Sequence, residues 1–169
     1  MCVHAPAATV KSEPRSTLTV QYAVAAAGLP SPRSLTRWAR SALTRDVAVT
    51  LRLVGAAEGA RLNAAYRAGP AATNVLTFVY DDTVPLSGDL VLCVPVIRRE
   101  ALAQGKTVAD HCAHLVVHGM LHLQGYVHDT DRAARRMEAL ETALLAMLRV
   151  PDPYADPYPG RSSTARRRA

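Results

Sequence analysis

The chain has 169 residues, 49% of them apolar and 5% aromatic, with three cysteines and a net charge of +6. That length and apolar content predict one domain with modest tails, its core filled by aliphatic and alanine side chains. No apolar run approaches the ~20 residues that span a bilayer, and Met1-Cys2-Val3-His4-Ala5-Pro6 lacks the charged-then-apolar order of a secretory signal. The odd, scattered set Cys2, Cys93 and Cys112 argues against a disulfide framework and for a reducing cytoplasm.

Arginine dominates the positive charge, and part of it belongs to the tail, where Arg161, Arg166, Arg167 and Arg168 face no acid. Residues 16–150 hold 14 Lys and Arg against 11 Asp and Glu, a net of +3. A polyanionic partner fits this balance, and so does a soluble basic protein with a disordered tail.

Residues 1–15 mix Ala, Pro, Ser and Lys without a period and read as a flexible leader. Thr17 to Val24 alternates apolar and polar residues, as a strand does. Ser31 and Pro32 supply an N-cap and a first helical residue, and Leu35, Trp38, Ala39 and Ala42 give that helix an inward stripe. Val47 to Val54 reads as a second strand. A short helix over Ala56–Tyr66 follows, with Leu62 and Tyr66 on one face and Arg67 at or just past its end. Ala68-Gly69-Pro70 breaks it.

Asn74 to Tyr80 is a third strand, and Asp81 to Gly88 reads as a polar loop. Asp89 to Val94 is nearly all apolar and predicts a central strand buried on both faces. Pro95 opens a helix that Gly105 closes, with Ile97 and Leu102 toward the core. Thr107 and Asp110 resemble a capping box for the next helix. After His128, Asp129 or Thr130 caps a last helix, whose apolar stripe is Met137, Leu140, Leu144 and Met147. Residues 156–169 read as a disordered basic tail. The order β α β α β β α α α predicts an α+β domain over 16–155: a small mixed four-stranded sheet packed by about five helices.

Five of the six histidines fall between positions 111 and 128. His118 and His122, four apart, share one face of a helix. Gly125 can end that helix in a left-handed conformation and let His128 return to complete the set. Three neutral imidazoles leave one tetrahedral position open on zinc, the arrangement of a catalytic site. Nickel or cobalt would also accept these ligands. The bland alternative is a histidine-rich helix in a core or on the surface.

His114 and His122 lie two turns apart, roughly 12 Å along the axis at ~1.5 Å per residue, so both cannot reach one ion. His114 then either supports a ligand or faces substrate, or is a hydrogen-bonded core histidine, and His111 is expected at the surface. The same spacing occurs in metzincin proteases, but their general-base glutamate is Gly119 here. An open zinc position lowers the pKa of a bound water to about 7 without a carboxylate base. A phosphodiester substrate then needs a cation at the attacked phosphorus. Arg67 is the candidate, with a solvated surface arginine as its alternative reading.

The run His118-Gly-Met-Leu-His122-Leu-Gln-Gly-Tyr-Val-His128 resembles the H-G-x-L-H-L-x-G-Y-D-H motif of the bacterial YbeY proteins, an endoribonuclease and rRNA maturation factor family. Leu62-Asn63-Ala64-Ala65-Tyr66-Arg67, Thr73 to Phe78, Gly88 to Cys93, Ala113 to Val117 and Met137 to Glu141 resemble further family motifs in the same order. The resemblance implies a single-strand-specific zinc endoribonuclease that matures the 3′ end of 16S rRNA and acts in ribosome quality control. It implies zinc at His118, His122 and His128 and a functional Arg67. It also implies a cleft for single-stranded RNA, with the small ribosomal subunit as partner and neither DNA nor membrane.

Two positions depart from the family pattern: Val127 replaces an Asp that would orient a ligand or water, and Thr77 replaces a Ser. Asp129 is a candidate substitute for the lost acid. The competing expectations are a ribosome assembly factor that does not cut, and a metalloprotease.

Overall fold

A computed structural model describes residues 14–67 and 72–155. Among them the elements run β1 Ser16–Tyr22, α1 Pro32–Ser41, β2 Val47–Val54, α2 Ala56–Arg67, β3 Val75–Asp81, β4 Leu86–Cys93, α3 Val94–Ala103, α4 Val108–Leu123 and α5 Asp131–Met147. This is the expected α+β order, with four strands and five helices. The expected basic tail (156–169), the expected break at Ala68-Gly69-Pro70 and the expected leader up to residue 13 lie outside the described residues. The end of the expected leader instead joins the sheet: Val47 N donates to Arg15 O at 3.0 Å and Arg15 N to Asp46 Oδ1 at 2.8 Å.

The sheet has the order β1-β2-β4-β3. β1 and β4 lie parallel to β2, and β3 runs antiparallel to β4. β4 is therefore internal, which its apolar residues on both faces require. The register Leu51↔Leu90 and Leu53↔Leu92 gathers the apolar residues of β2 and β4 on one face. There they meet Leu35 and Trp38 of α1, Ile97 of α3, Val116 and Met120 of α4 and Leu145 of α5. Val54, Leu76, Val91, Cys93 and Val96 form a smaller cluster with Leu62 of α2.

Helix α4 runs through the middle of the larger core, buried at Cys112, Ala113, Leu115, Val116, Val117, Met120 and Leu121. Gly119 lets it approach the sheet: a Cβ there would overlap Leu90 Cδ1. Among the described residues no helix is long and apolar enough to cross a membrane.

Four expectations are corrected. β4 begins at Leu86, not Asp89: Leu86 is fully buried and pairs with Val47, and Ser87-Gly88 only looks like a loop. Gly88 is there because a Cβ would strike the Phe78 carbonyl across the ladder. Leu102 is 84% exposed, since α3 turns Val94, Ile97 and Ala101 inward and the next position lies outside that stripe. Met147 ends α5 exposed, and Leu145 takes its expected place in the core. His111 is buried, not superficial. Its Nε2 donates to Glu100 Oε2 at 2.8 Å, and Asn74 Nδ2 donates to the same oxygen at 3.0 Å.

Candidate metal centre

Local sequence sets both ends of α4. At the start, Thr107 Oγ1 accepts from Asp110 N at 3.0 Å and pairs with Asp110 Oδ2 at 2.7 Å, the expected cap. At the end, Gly125 has φ +89°. Gly125 N donates to His122 O at 3.0 Å and Tyr126 N to Leu121 O at 3.1 Å. That paired pattern is a Schellman motif, which reverses the chain after the last turn. Gln124 pins the reversal, its amide donating to Ala42 O and Met120 O and its oxygen accepting from Thr44 N.

The reversal brings His128 back to the helix. Ring centroids lie 4.5 Å apart for His118–His122, 4.8 Å for His122–His128 and 5.9 Å for His118–His128. A small cleft of about 120 Å³ beside them is lined by His118, His128, Met137, Glu138, Glu141 and Tyr154. Burial first, and then the neighbouring His118 and His128, push the His122 pKa down to about 4. His122 therefore stays neutral at pH 7, the form in which imidazole binds a metal.

A second group lies behind the first. Glu141 of α5 is fully buried. Its Oε1 accepts from His118 Nδ1 at 2.8 Å and its Oε2 from His114 Nε2 at 3.1 Å, and Tyr154 Oη also donates to Oε2. Burial raises the Glu141 pKa, but these three hydrogen bonds outweigh it and bring the value to about 2. The Tyr154 phenol is pushed far above its ordinary value by burial and by the bond to Glu141.

His114, His118 and Glu141 offer ligand atoms all within 4.8 Å of one another, so this group could hold a metal ion. In it the carboxylate oxygens already sit at hydrogen-bond distance from ring nitrogens. His118 gives its Nδ1 to Glu141 and keeps Nε2, on the other edge of the ring, without a hydrogen-bond partner among the described residues.

The remaining site expectations resolve as follows. His114 is half-buried: its Nε2 is bonded to Glu141, and its Nδ1 is buried without a hydrogen-bond partner among the described residues. Arg67 is the last residue of α2, and its side chain lies outside the described part of the structure. Val127 is 53% exposed, and Asp129 makes no hydrogen bond among the described residues. Glu141 and Tyr154 were not singled out from the sequence. Their signal is an acid inside an apolar stripe: Met137, Glu141, Leu144 and Leu145 are the buried positions of α5.

Comparison with known proteins identifies the family. The sequence profile of the family described as Endoribonuclease YbeY matches residues 33–149. Endoribonuclease YbeY of Aromatoleum aromaticum is 55% identical over 150 residues, covering 87% of this chain and 97% of that protein. Endoribonuclease YbeY of Bordetella petrii is 56% identical over 160 residues, covering 84% and 99%. The solution structure of TM1509 from Thermotoga maritima aligns at TM-score 0.52 and 23% identity over 86% of this chain and 100% of that one, a likeness of fold. Matches of this extent, over a chain whose histidines converge as the motif requires, make this chain a member of the YbeY endoribonuclease family.

Proposed function

We propose that this chain is a zinc-dependent endoribonuclease that cuts single-stranded RNA. Its ligands are His118, His122 and His128, and its cellular task is 16S rRNA 3′-end maturation and ribosome quality control in the cytoplasm. The observation that carries the reading is the convergence of three imidazoles whose centroids lie within 5.9 Å of one another. The donor set fits zinc: His122 is held neutral by burial, and His118 keeps its Nε2 bare because Nδ1 is bonded to Glu141.

Zinc held there supplies Lewis-acid chemistry toward water and phosphate oxygens at neutral pH. The chain supplies the rest. The reversal after α4 is fixed by its backbone, Gly125 N donating to His122 O at 3.0 Å and Tyr126 N to Leu121 O at 3.1 Å. Arg67, carried at the end of α2, meets negative charge on the scissile phosphate. A single RNA strand and the small ribosomal subunit are the partners this reading requires.

A metzincin-type protease is disfavoured by more than the missing carboxylate. Position 119 lies against Leu90 with no room even for a Cβ, so a glutamate base does not fit there. The non-cutting assembly factor keeps one specific observation in its favour: an exposed Val127 stands where the family pattern has an acid.

The test compares the full chain with its H118A and R67A variants. H118A is expected to lose both bound zinc and cleavage of single-stranded 16S 3′-end RNA. R67A is expected to keep the zinc and lose at least tenfold in cleavage. Cutting by metal-free H118A would sink the reading. Metal bound normally with no cutting by the wild type, together with co-sedimentation on small-subunit particles, would move it to the assembly factor.

A further inference from the structure

We propose that Glu141 is the positioning residue of the metal centre. It orients His118 for metal binding, and it is itself held by His114 and by Tyr154 from the segment after α5. The proposal rests on the ligand set above and adds to it a residue and a strap that the histidine motif does not contain.

Glu141 is 0% exposed, and a buried carboxylate persists only if its oxygens are satisfied. Both are, and every donor is accounted for: His118 on Oε1, and His114 and Tyr154 on Oε2. An ionised carboxylate only accepts hydrogen bonds. His118 must therefore carry its proton on Nδ1, which leaves the Nε2 lone pair for the ion. This is the carboxylate–histidine–metal arrangement, in which the outer carboxylate fixes tautomer and ring plane and raises ligand basicity. His114 is the second hand on the same carboxylate, which explains a histidine too far along the helix to join His122 on one ion.

The third hand comes from the chain after α5, and that chain is tethered. Asp152 Oδ1 accepts from Tyr154 N at 2.9 Å and from Thr142 Oγ1 at 3.3 Å, and Lys106 Nζ donates to Pro153 O at 2.8 Å. These bonds hold Pro151–Tyr154 across α5 and the start of α4, so the phenol arrives at Glu141 on a fixed strap.

The experiment uses the full chain stripped of metal and reads metal binding, not turnover. Zinc affinity is measured by competition with a chromogenic chelator, and Co²⁺ is added as a spectroscopic probe of the ligand field. E141Q keeps the shape and removes the charge. It is expected to bind zinc roughly 10–100-fold more weakly, with altered Co²⁺ visible bands and unchanged far-UV circular dichroism. Unchanged affinity and bands in folded E141Q overturn the proposal.

If E141Q does not fold, long-range ¹H–¹⁵N spectra of the wild-type metal-free chain decide instead. His118 is expected as the Nδ1–H tautomer, and an Nε2–H tautomer overturns the proposal. H128A separates the two levels. If H128A loses the metal while E141Q behaves as wild type, only the positioning role fails. If H128A and H122A keep the metal while H114A loses it, the ion sits on His114, His118 and Glu141, and the three-histidine set fails with it.

Discussion

His122 and Glu141 are titratable groups moved in the same direction for opposite reasons, and each leaves a mark on stability at its own pH. Burial and two neighbouring imidazoles hold the His122 pKa at about 4, below the 6.5 of a free imidazole. Between these values the unfolded chain carries the extra proton, so the stability of the metal-free protein falls as pH falls through 6.5 toward 4. Glu141 is held at about 2 against an ordinary 4.5, by hydrogen bonds that outweigh its burial. Its contribution is present above 4.5 and disappears as pH falls from there toward 2. Urea unfolding of the metal-free chain across pH is expected to show both losses. H122A should flatten the upper one and E141Q the lower one. An H122A variant with the wild-type slope between pH 6.5 and 4 would mean that burial among the histidines does not depress that group.

The same two residues mark how far the site could be read from sequence. The convergence of His118, His122 and His128 was legible because their geometry is local, one helix turn and one glycine reversal. Glu141 was not, because the residues that give it meaning lie 27 and 23 positions before it and 13 after. A carboxylate on an apolar stripe was the trace it left.

At the scale of elements, the contact between α4 and β4 sets where the histidines stand. Gly119 faces Leu90, and an added methyl would lie 3.3 Å from Leu90 Cγ and overlap Cδ1. Leu90 is fully buried, so it cannot simply swing away. Alanine gains about 1 kcal/mol of helix propensity over glycine, while overpacking a core costs about 1–3 kcal/mol. G119A is therefore expected to destabilise modestly, despite the better helix former. A double-mutant cycle checks the cause: in an L90A background, where the space exists, G119A should become neutral or stabilising. An equal penalty in both backgrounds would show that Leu90 is not what position 119 meets.

Caps and breaks were the legible part of these elements. Ser31 accepts from Ser34 N, Thr107 from Asp110 N and Thr130 from Ala133 N, each at the helix start that its residue type announces. Boundaries set by long-range approach were not legible. Gly88 reads as a loop glycine until the Phe78 carbonyl is seen against it, and Leu102 reads as core until α3 is oriented by Ile97 and Ala101.

For the molecule as a whole, the centre joins parts of the chain that the sheet does not. His118 and His122 belong to α4, His128 to the reversal after it, and Glu141 and Tyr154 tie α5 and the following segment to the same point. An ion bound only by the folded arrangement must then stabilise the whole fold by mass action. With free zinc at 100 times its dissociation constant that gain is about 2.7 kcal/mol. At about 2–4 °C per kcal/mol for a chain of this size, the melting temperature is expected to rise roughly 5–10 °C and to return when zinc is chelated. His128 is the informative position, because it is exposed and contributes little to the core, so H128A should melt near the wild-type metal-free temperature and gain little from zinc. Equal zinc stabilisation of H128A and wild type would instead place the ion away from the reversal. A reversal that matters only for its backbone would then be all that Gly125 provides.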